Sequence, residues 1–96
     1  MTGSTRSSDG LDVRRRKVLF RAWHRGMRET DLILGRFADA TIAELSDAEL
    51  DDFEQLLEVQ DQDVLGWLLG DFGVPPELDT PLFRKLCAFH QQTGSR

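Results

Sequence analysis

The apolar residues of this chain recur at intervals of three and four, and almost no segment alternates with a period of two. Residues three and four positions apart share one face of an α-helix, so this spacing is typical of amphipathic helices. No internal repeat is present. The pattern therefore predicts an all-α fold, a small compact bundle of about five short helices joined by short connections.

The first two helices are predicted on either side of a glycine. The first covers about 11–25, with an apolar stripe at Val18, Leu19, Ala22 and Trp23. Gly26 follows a basic last turn and occupies the place of a left-handed residue that ends a helix. The second helix is predicted directly after it, to about residue 39. Glu29 and Asp31 lie in its first turn, where the helix dipole favours negative charge.

Capping patterns predict where the next two helices begin. Thr41 with Glu44, and Ser46 with Glu49, each pair a hydroxyl with a glutamate three residues later, as in a capping box. The second box is the better start for helix three, whose predicted core face is Leu50, Phe53, Leu56 and Leu57. Asp61 or Asp63 is predicted to cap a short apolar helix that Gly70 ends.

The last helix follows a loop in which two glycines and two adjacent prolines exclude regular helix. Thr80 is predicted as its cap, with Pro81 at the first helical position. The helix is predicted to run from residue 82 to about residue 92, with these side chains turned inward: Leu82, Phe83, Leu86, Cys87, Phe89 and His90. These elements predict one helical domain over 12–92, a flexible tail over 1–11 and a frayed end over 93–96.

Composition limits the cellular compartments that the chain is expected to occupy. No apolar run approaches the roughly 20 residues needed to span a bilayer, so no membrane insertion is predicted. The start of the chain has no apolar segment that resembles a secretory signal. A single cysteine, Cys87, excludes an internal disulfide and fits a reducing compartment, where it is expected to be a small buried hydrophobe. We expect a bacterial-type cytoplasmic protein rather than one of the mitochondrial matrix.

Charge is distributed unevenly along the chain, whose net charge is −5. Residues 1–36 contain nine Arg and Lys against four Asp and Glu, whereas residues 37–83 contain thirteen Asp and Glu and no Arg or Lys. Two interpretations follow. The segments form a basic and an acidic face that steer a partner, or they are merely solvated.

Catalysis by this chain alone is not predicted. His24 and His90 lie far apart, and Cys87 with His90 gives only half of a metal site, so no metal is expected. There is no dinucleotide or phosphate-loop fingerprint and no tyrosine. Capping explains Asp61 and Asp63 more simply than acid–base chemistry. An acidic chain is also a poor nucleic-acid binder, because phosphate neutralisation needs a broad basic surface.

Two blocks of residues resemble one known family. Arg25, Gly26 and Glu29 match its Arg-Gly-x-x-Glu motif. About thirty residues later, a second block matches at Leu56, Leu57, Glu58, Asp61, Asp63, Trp67 and Leu68. The likeness covers about 14–92 and is to the FAD assembly factor family, also called succinate dehydrogenase assembly factors or flavinylation factors.

That resemblance implies a helical bundle that promotes covalent attachment of FAD to the flavoprotein subunit of succinate dehydrogenase or of fumarate reductase. FAD is then the cofactor of the client, and the small protein, expected to be a monomer, binds no cofactor stably. Arg25, Gly26 and Glu29 carry over as client-contacting residues, with Arg28, Asp31 and Arg21 beside them. Glu29 is expected either to pair with an arginine of the client or to hold Arg25.

The sequence leaves both a second surface and the function with alternatives. Asp61, Asp63 and Trp67 are candidates for a secondary client surface, although two caps and a core tryptophan explain them more simply. The function also has alternatives: a generic helical adaptor or regulator with another client, or, less favoured, direct carriage of flavin. On the main hypothesis, a large side chain at Gly26 should block docking and leave most of the fold intact.

Overall fold

The computed structural model describes residues 10–93 of the chain and contains five α-helices in that range. They are α1 Val13–Trp23, α2 Arg28–Thr41, α3 Asp47–Leu57, α4 Asp61–Leu69 and α5 Pro81–Thr93. Two short 3-10 turns, Ile42–Glu44 and Pro76–Leu78, lie in the connections, and residues 10–93 include no strand. The predicted all-α bundle of five short helices is confirmed.

The predicted ends of the domain are only partly visible. Residues 1–9 of the predicted tail and 94–96 of the predicted frayed end lie outside the described residues. Leu11, which we assigned to the tail, is buried in the core, and α5 continues to Thr93. The first helix is shorter at both ends than predicted, and α2 ends two residues later than predicted.

The core lies between α1, α2, α3 and α5 and is built from the apolar faces that the spacing predicts. All four predicted residues of the α1 stripe and all four of the α3 face are buried. The largest side chains with almost no exposed surface are Phe37, Phe53, Leu34, Ile42, Leu50, Leu56, Leu82 and Leu86. Burial of these faces, rather than intrinsic propensity, stabilises helices this short.

A glycine brings α1 and α2 into close contact. Gly35 lies in the middle of α2, and a Cβ atom there would be 2.3 Å from Cδ2 of the Trp23 ring. The indole Nε1 donates a hydrogen bond to Asp39, 3.2 Å away on the same helix as Gly35. Trp23 therefore fills the space that any larger residue at position 35 would need.

Two of the predicted hydroxyl caps are confirmed, and the less favoured of the two capping-box patterns, at Thr41, is not used. Ser46 and Glu49 form the reciprocal capping box at the start of α3, and Thr80 accepts a hydrogen bond from the Phe83 N–H at 3.1 Å. The box predicted at Thr41 and Glu44 does not form. Because α2 continues through Thr41, its hydroxyl lies in the last turn and donates instead to the Phe37 carbonyl at 2.8 Å.

The predicted aspartate cap of α4 is wrong. The N-cap residue is Gln60, and no side chain caps the helix. Asp61 and Asp63 lie inside the first turn, where their negative charge still interacts favourably with the helix dipole. Gly70 ends the helix in the left-handed conformation, at φ +81°, as predicted.

The fold pairs the basic and acidic segments with each other. Arg14 binds Glu54 at 3.0 Å and also contacts Asp51, and Arg21 binds Glu58 at 2.7 Å. At the other end of α3, Lys85 contacts Glu49. Many of the basic and acidic residues that lie apart in the sequence thus form ion pairs with each other within the chain. Neither of the two interpretations of the sequence included this pairing.

Within residues 10–93, no helix has both the length and the apolar character needed to cross a bilayer.

Candidate functional site

The candidate site lies at the corner between α1 and α2. His24 is the C-cap of α1, and residues 25–27 turn the chain into α2. Gly26 adopts φ +119°, a region that side chains of L-residues rarely enter. Gly26 lies at the corner between the two helices, as predicted, but it does not end α1 as a C′ residue, because the C-cap is His24 and Gly26 lies two residues beyond it.

Asp31 holds the backbone of this corner in place. Its carboxylate accepts hydrogen bonds from the N–H groups of Arg25, at 2.6 Å, and Gly26, at 3.3 Å. The hydroxyl of the buried Thr30 donates to the Met27 carbonyl at 3.1 Å. Asp31, predicted as a client contact in the first turn of α2, therefore has a structural role in the free protein.

The guanidinium of Arg25 points into the molecule. Its Nε donates to Oδ1 of Asp61 at 2.8 Å, and its two terminal nitrogens donate to the carbonyls of Leu57 and Val59. The side chains of Arg25 and Asp61 are 9% and 15% exposed. These carbonyls lie at the C-terminal end of α3, where an arginine both satisfies free acceptors and complements the helix dipole.

Arg25 therefore connects the corner to the α3–α4 link. Arg25 and Asp61 are both candidate residues from the sequence, but nothing in the sequence indicates that they pair. They are 36 positions apart on different elements, and no spacing rule relates such residues. The guanidinium of Arg25 is used inside the chain, so its predicted contact with a client stays a prediction.

The outward face of the corner carries different residues. Gly26, Arg28 and Glu29 are exposed, and Met27 is half-buried. Within the described residues, neither Arg28 nor Glu29 has an ion pair or a side-chain hydrogen bond. Glu29 is not among the acceptors of Arg25, so the alternative in which it holds that arginine is not the arrangement found.

The remaining predicted site residues are Arg21, Asp63 and Trp67. Arg21 binds the exposed Glu58, and Asp63 is exposed in the first turn of α4. Trp67 is half-buried against the core, with its ring edge-on to Phe83 at a centroid distance of 6.2 Å. This packing supports the simpler interpretation of Trp67 as a core residue.

The described part of the chain has neither a candidate metal cluster nor a thiol with a lowered pKa. Residues 10–93 contain no group of three or more His, Cys, Asp or Glu side chains that could hold a metal ion. The half-buried Cys87 packs against the core, and burial, helped by the charge of Asp79, raises the pKa of its thiol. A raised pKa keeps the thiol in its unreactive protonated form.

One protein family matches the part of the chain that contains the corner and most of each helix. The model of the family described as "Flavinator of succinate dehydrogenase" matches residues 16–90. The chain belongs to this family. The chain is 40% identical over 80 residues to the FAD assembly factor SdhE of Acetobacter pasteurianus, covering 83% of the chain and 73% of that protein.

Mitochondrial relatives match in the same way. The succinate dehydrogenase assembly factor 2 of Dictyostelium discoideum is 39% identical over 74 residues, which is 77% of the chain and 52% of that protein. The protein of the same name from Scheffersomyces stipitis is 32% identical over 71 residues, or 74% and 48%. The chain thus spans about half the length of these mitochondrial relatives.

Proposed function

We propose that this chain is an assembly factor that binds the flavoprotein subunit of succinate dehydrogenase and promotes covalent attachment of FAD to it. The family match over residues 16–90, which includes the exposed corner at Gly26, is the observation that carries the proposal. The names of the bacterial and mitochondrial relatives agree with it. The flavoprotein of fumarate reductase is the second candidate client.

In this proposal, the corner residues divide into two groups. Glu29 and Arg28 contact the client, because both are exposed charges with no ion pair in the part of the chain that the structure describes. Gly26 lets the client backbone approach, since a Cβ atom would project from the corner there. Arg25, Asp31 and Asp61 fix the shape of the corner.

The chain is proposed to work without a catalytic group of its own. Its contribution is to hold the client in a conformation in which the bound FAD reacts with the client's own residues. FAD is then the cofactor of the client and is not bound stably by this chain, which acts as a monomer. We expect it to work in the cytoplasm.

The test is co-expression of the flavoprotein subunit with the native chain, with Glu29→Gln, or with no chain. Covalent flavin is measured as in-gel fluorescence after denaturation. We expect strong labelling with the native chain and a large loss with Glu29→Gln, because the amide keeps the size of the side chain and removes its charge. The same experiment with the fumarate reductase flavoprotein compares the two clients.

Arg36→Gln is the matched control, since Arg36 is an exposed charge on α2 that lies outside the corner. We expect it to support native labelling. Circular dichroism melts verify that each variant is folded. Equal labelling with the native chain and with no chain would refute the proposal. Titration with free FAD tests the remaining prediction, which micromolar binding would contradict.

A further inference from the structure

Helix α1 carries exposed apolar side chains on a face that does not pack against the core. Val13 and Phe20 are 56% and 63% exposed, the largest exposed apolar fractions on this helix. With Arg16 and Lys17 between them, they follow the spacing of three and four that defines one helix face. Together with Arg21 they line a shallow surface depression. We call Val13, Arg16, Lys17 and Phe20 the outer strip.

The charges of the outer strip are available to a partner. In the part of the chain that the structure describes, Arg16 and Lys17 have no ion pair, unlike Arg14 and Arg21 on the same helix. Two cations beside two exposed apolar side chains complement a ligand that combines carboxylates with an apolar group.

The surroundings of the strip indicate a narrow occupant. Along one side, α3 presents the acidic residues Asp51, Glu54 and Glu58, which line a second depression with Arg21. Arg14 and Arg21 pair with these three carboxylates but leave one negative charge in excess, which disfavours a flat anionic bilayer on this side of the strip. A single acidic segment of a protein can contact Arg16 and Lys17 and avoid α3.

The outer strip reaches the corner through His24. The rings of Phe20 and His24 are stacked with centroids 4.0 Å apart, and Nδ1 of His24 donates to the Phe20 carbonyl at 2.7 Å. His24 directly precedes Arg25 and Gly26. The stack restrains the exposed phenylalanine before binding, which lowers the entropy that a partner must overcome.

We propose that the outer strip extends the client-binding surface from the corner along α1. A segment of the flavoprotein subunit places an apolar side chain over Val13 and Phe20 and carboxylates against Arg16 and Lys17. This inference rests on the proposed function, because it takes the same flavoprotein as the partner. Phe20 is the anchor, since large aromatic side chains dominate the energetics of such interfaces.

The experiment is a calorimetric titration of the purified flavoprotein subunit with the full chain. We expect Phe20→Ala to weaken binding about tenfold or more, as for an aromatic anchor. Arg16→Glu with Lys17→Glu should weaken binding and reduce its dependence on salt. The matched controls are Leu69→Ala, an apolar residue with 59% exposure outside the strip, and Arg36→Glu, an exposed cation outside it. Both should bind as the native chain does.

The outcomes separate the two proposals. If Glu29→Gln weakens binding while Phe20→Ala and the double charge reversal bind normally, the outer strip is not an interface and the proposed function stands. If the native chain does not bind the flavoprotein at all, the proposed function fails. Phe20-dependent binding to anionic vesicles, or a Phe20-dependent dimer in sedimentation, with unaltered binding of the flavoprotein would also overturn the inference. Thermal melts verify that the variants are folded.

Discussion

At the scale of single residues, the family motif combines side chains that point in opposite directions. Arg25 is turned inward onto Asp61 and two backbone carbonyls, whereas Glu29, four residues later, is exposed. An arginine that donates to carbonyls at a helix end satisfies acceptors that would otherwise have no hydrogen-bond partner within the helix. The motif therefore encodes both the shape of the corner and the charge presented on it.

We predict that Arg25→Ala lowers the free energy of unfolding by about 3 kcal/mol, because it leaves the mostly buried Asp61 carboxylate without its cation. Arg21→Ala is the matched control, four residues earlier in the chain. Its pair with Glu58 is exposed, so the loss should stay below about 1 kcal/mol. Urea unfolding followed by circular dichroism measures both. Equal losses would show that the Arg25 contacts contribute no more than a surface pair.

The second prediction at this scale concerns Gly26. We expect Gly26→Ala to cost about 1–3 kcal/mol of stability, because φ +119° strains any residue with a Cβ atom. Gly73→Ala is the control: it has open space around it, no positive φ and no reason to lose stability. Thermal unfolding compares the two.

This strain bears on our expectation that a large side chain at Gly26 leaves most of the fold intact. Open space around the glycine agrees with it, since a Cβ atom there would have Oδ2 of Asp61 as its nearest neighbour, 3.9 Å away. The backbone conformation disagrees with this expectation, because φ +119° strains any residue that has a Cβ atom. Any docking defect of a Gly26 variant must therefore be compared with its stability, which makes Glu29→Gln the cleaner functional test.

At the scale of elements, two helical glycines face aromatic rings with different freedom to move. A Cβ atom at Gly35 would be 2.3 Å from the ring of Trp23, and one at Gly66 would be 2.3 Å from the ring of Phe72. Trp23 is buried, with 7% of its surface exposed, while Phe72 is 50% exposed. The same overlap therefore has different consequences, because only an exposed ring can rotate away into water.

We predict that Gly35→Ala destabilises the protein by about 1–3 kcal/mol, since α1 and α2 must separate around Trp23. Gly66→Ala should be neutral or stabilising by up to about 1 kcal/mol, because alanine is the better helix former and Phe72 can move. Denaturant midpoints of the two variants test the comparison. A larger loss at Gly66 would contradict the packing argument.

At the scale of the whole molecule, ion pairs connect segments that are far apart in sequence. The hydrogen bond from Arg14 lowers the pKa of Glu54, and the hydrogen bond from Lys85, with the Ser46 N–H, lowers the pKa of Glu49. Both glutamates lie on α3, so α1 and α5 are each linked to that helix by charge as well as by apolar contact.

This coupling predicts loss of stability in acid. A carboxylate whose pKa is lowered by folding stabilises the native state above its unfolded pKa, and that contribution disappears as the pH falls through the folded value. For Glu49 and Glu54, the loss should begin near their ordinary pKa of 4.5 and continue below it. Urea unfolding between neutral pH and the onset of acid unfolding measures the slope.

Glu54→Gln should flatten this dependence, because it removes one of the carboxyl groups whose pKa folding lowers. Glu77→Gln is the control, since Glu77 is exposed and has no ion pair among the described residues. It should leave the slope unchanged. An acid slope that Glu54→Gln does not alter would show that this ion pair is not coupled to folding.

The sequence by itself determined what depends on neighbours along the chain. Spacing of three and four specified the helices and their buried faces, because helical periodicity is a local property. The Ser46 capping box, the Thr80 cap and the terminating Gly70 were predictable for the same reason. The aspartate cap of α4 was wrong because the helix begins at Asp61, so the N-cap position falls on Gln60 instead.

Only the tertiary structure decided which groups meet across helices. No periodicity connects Arg25 with Asp61, or Arg14 with Glu54, and a linear count of charge cannot distinguish internal pairs from an exposed face. The direction of Arg25 depends on the carbonyls at the end of α3, which helix packing brings to the corner. Phe20 lies outside the predicted stripe of α1, but only the packed structure shows that no other described element covers it.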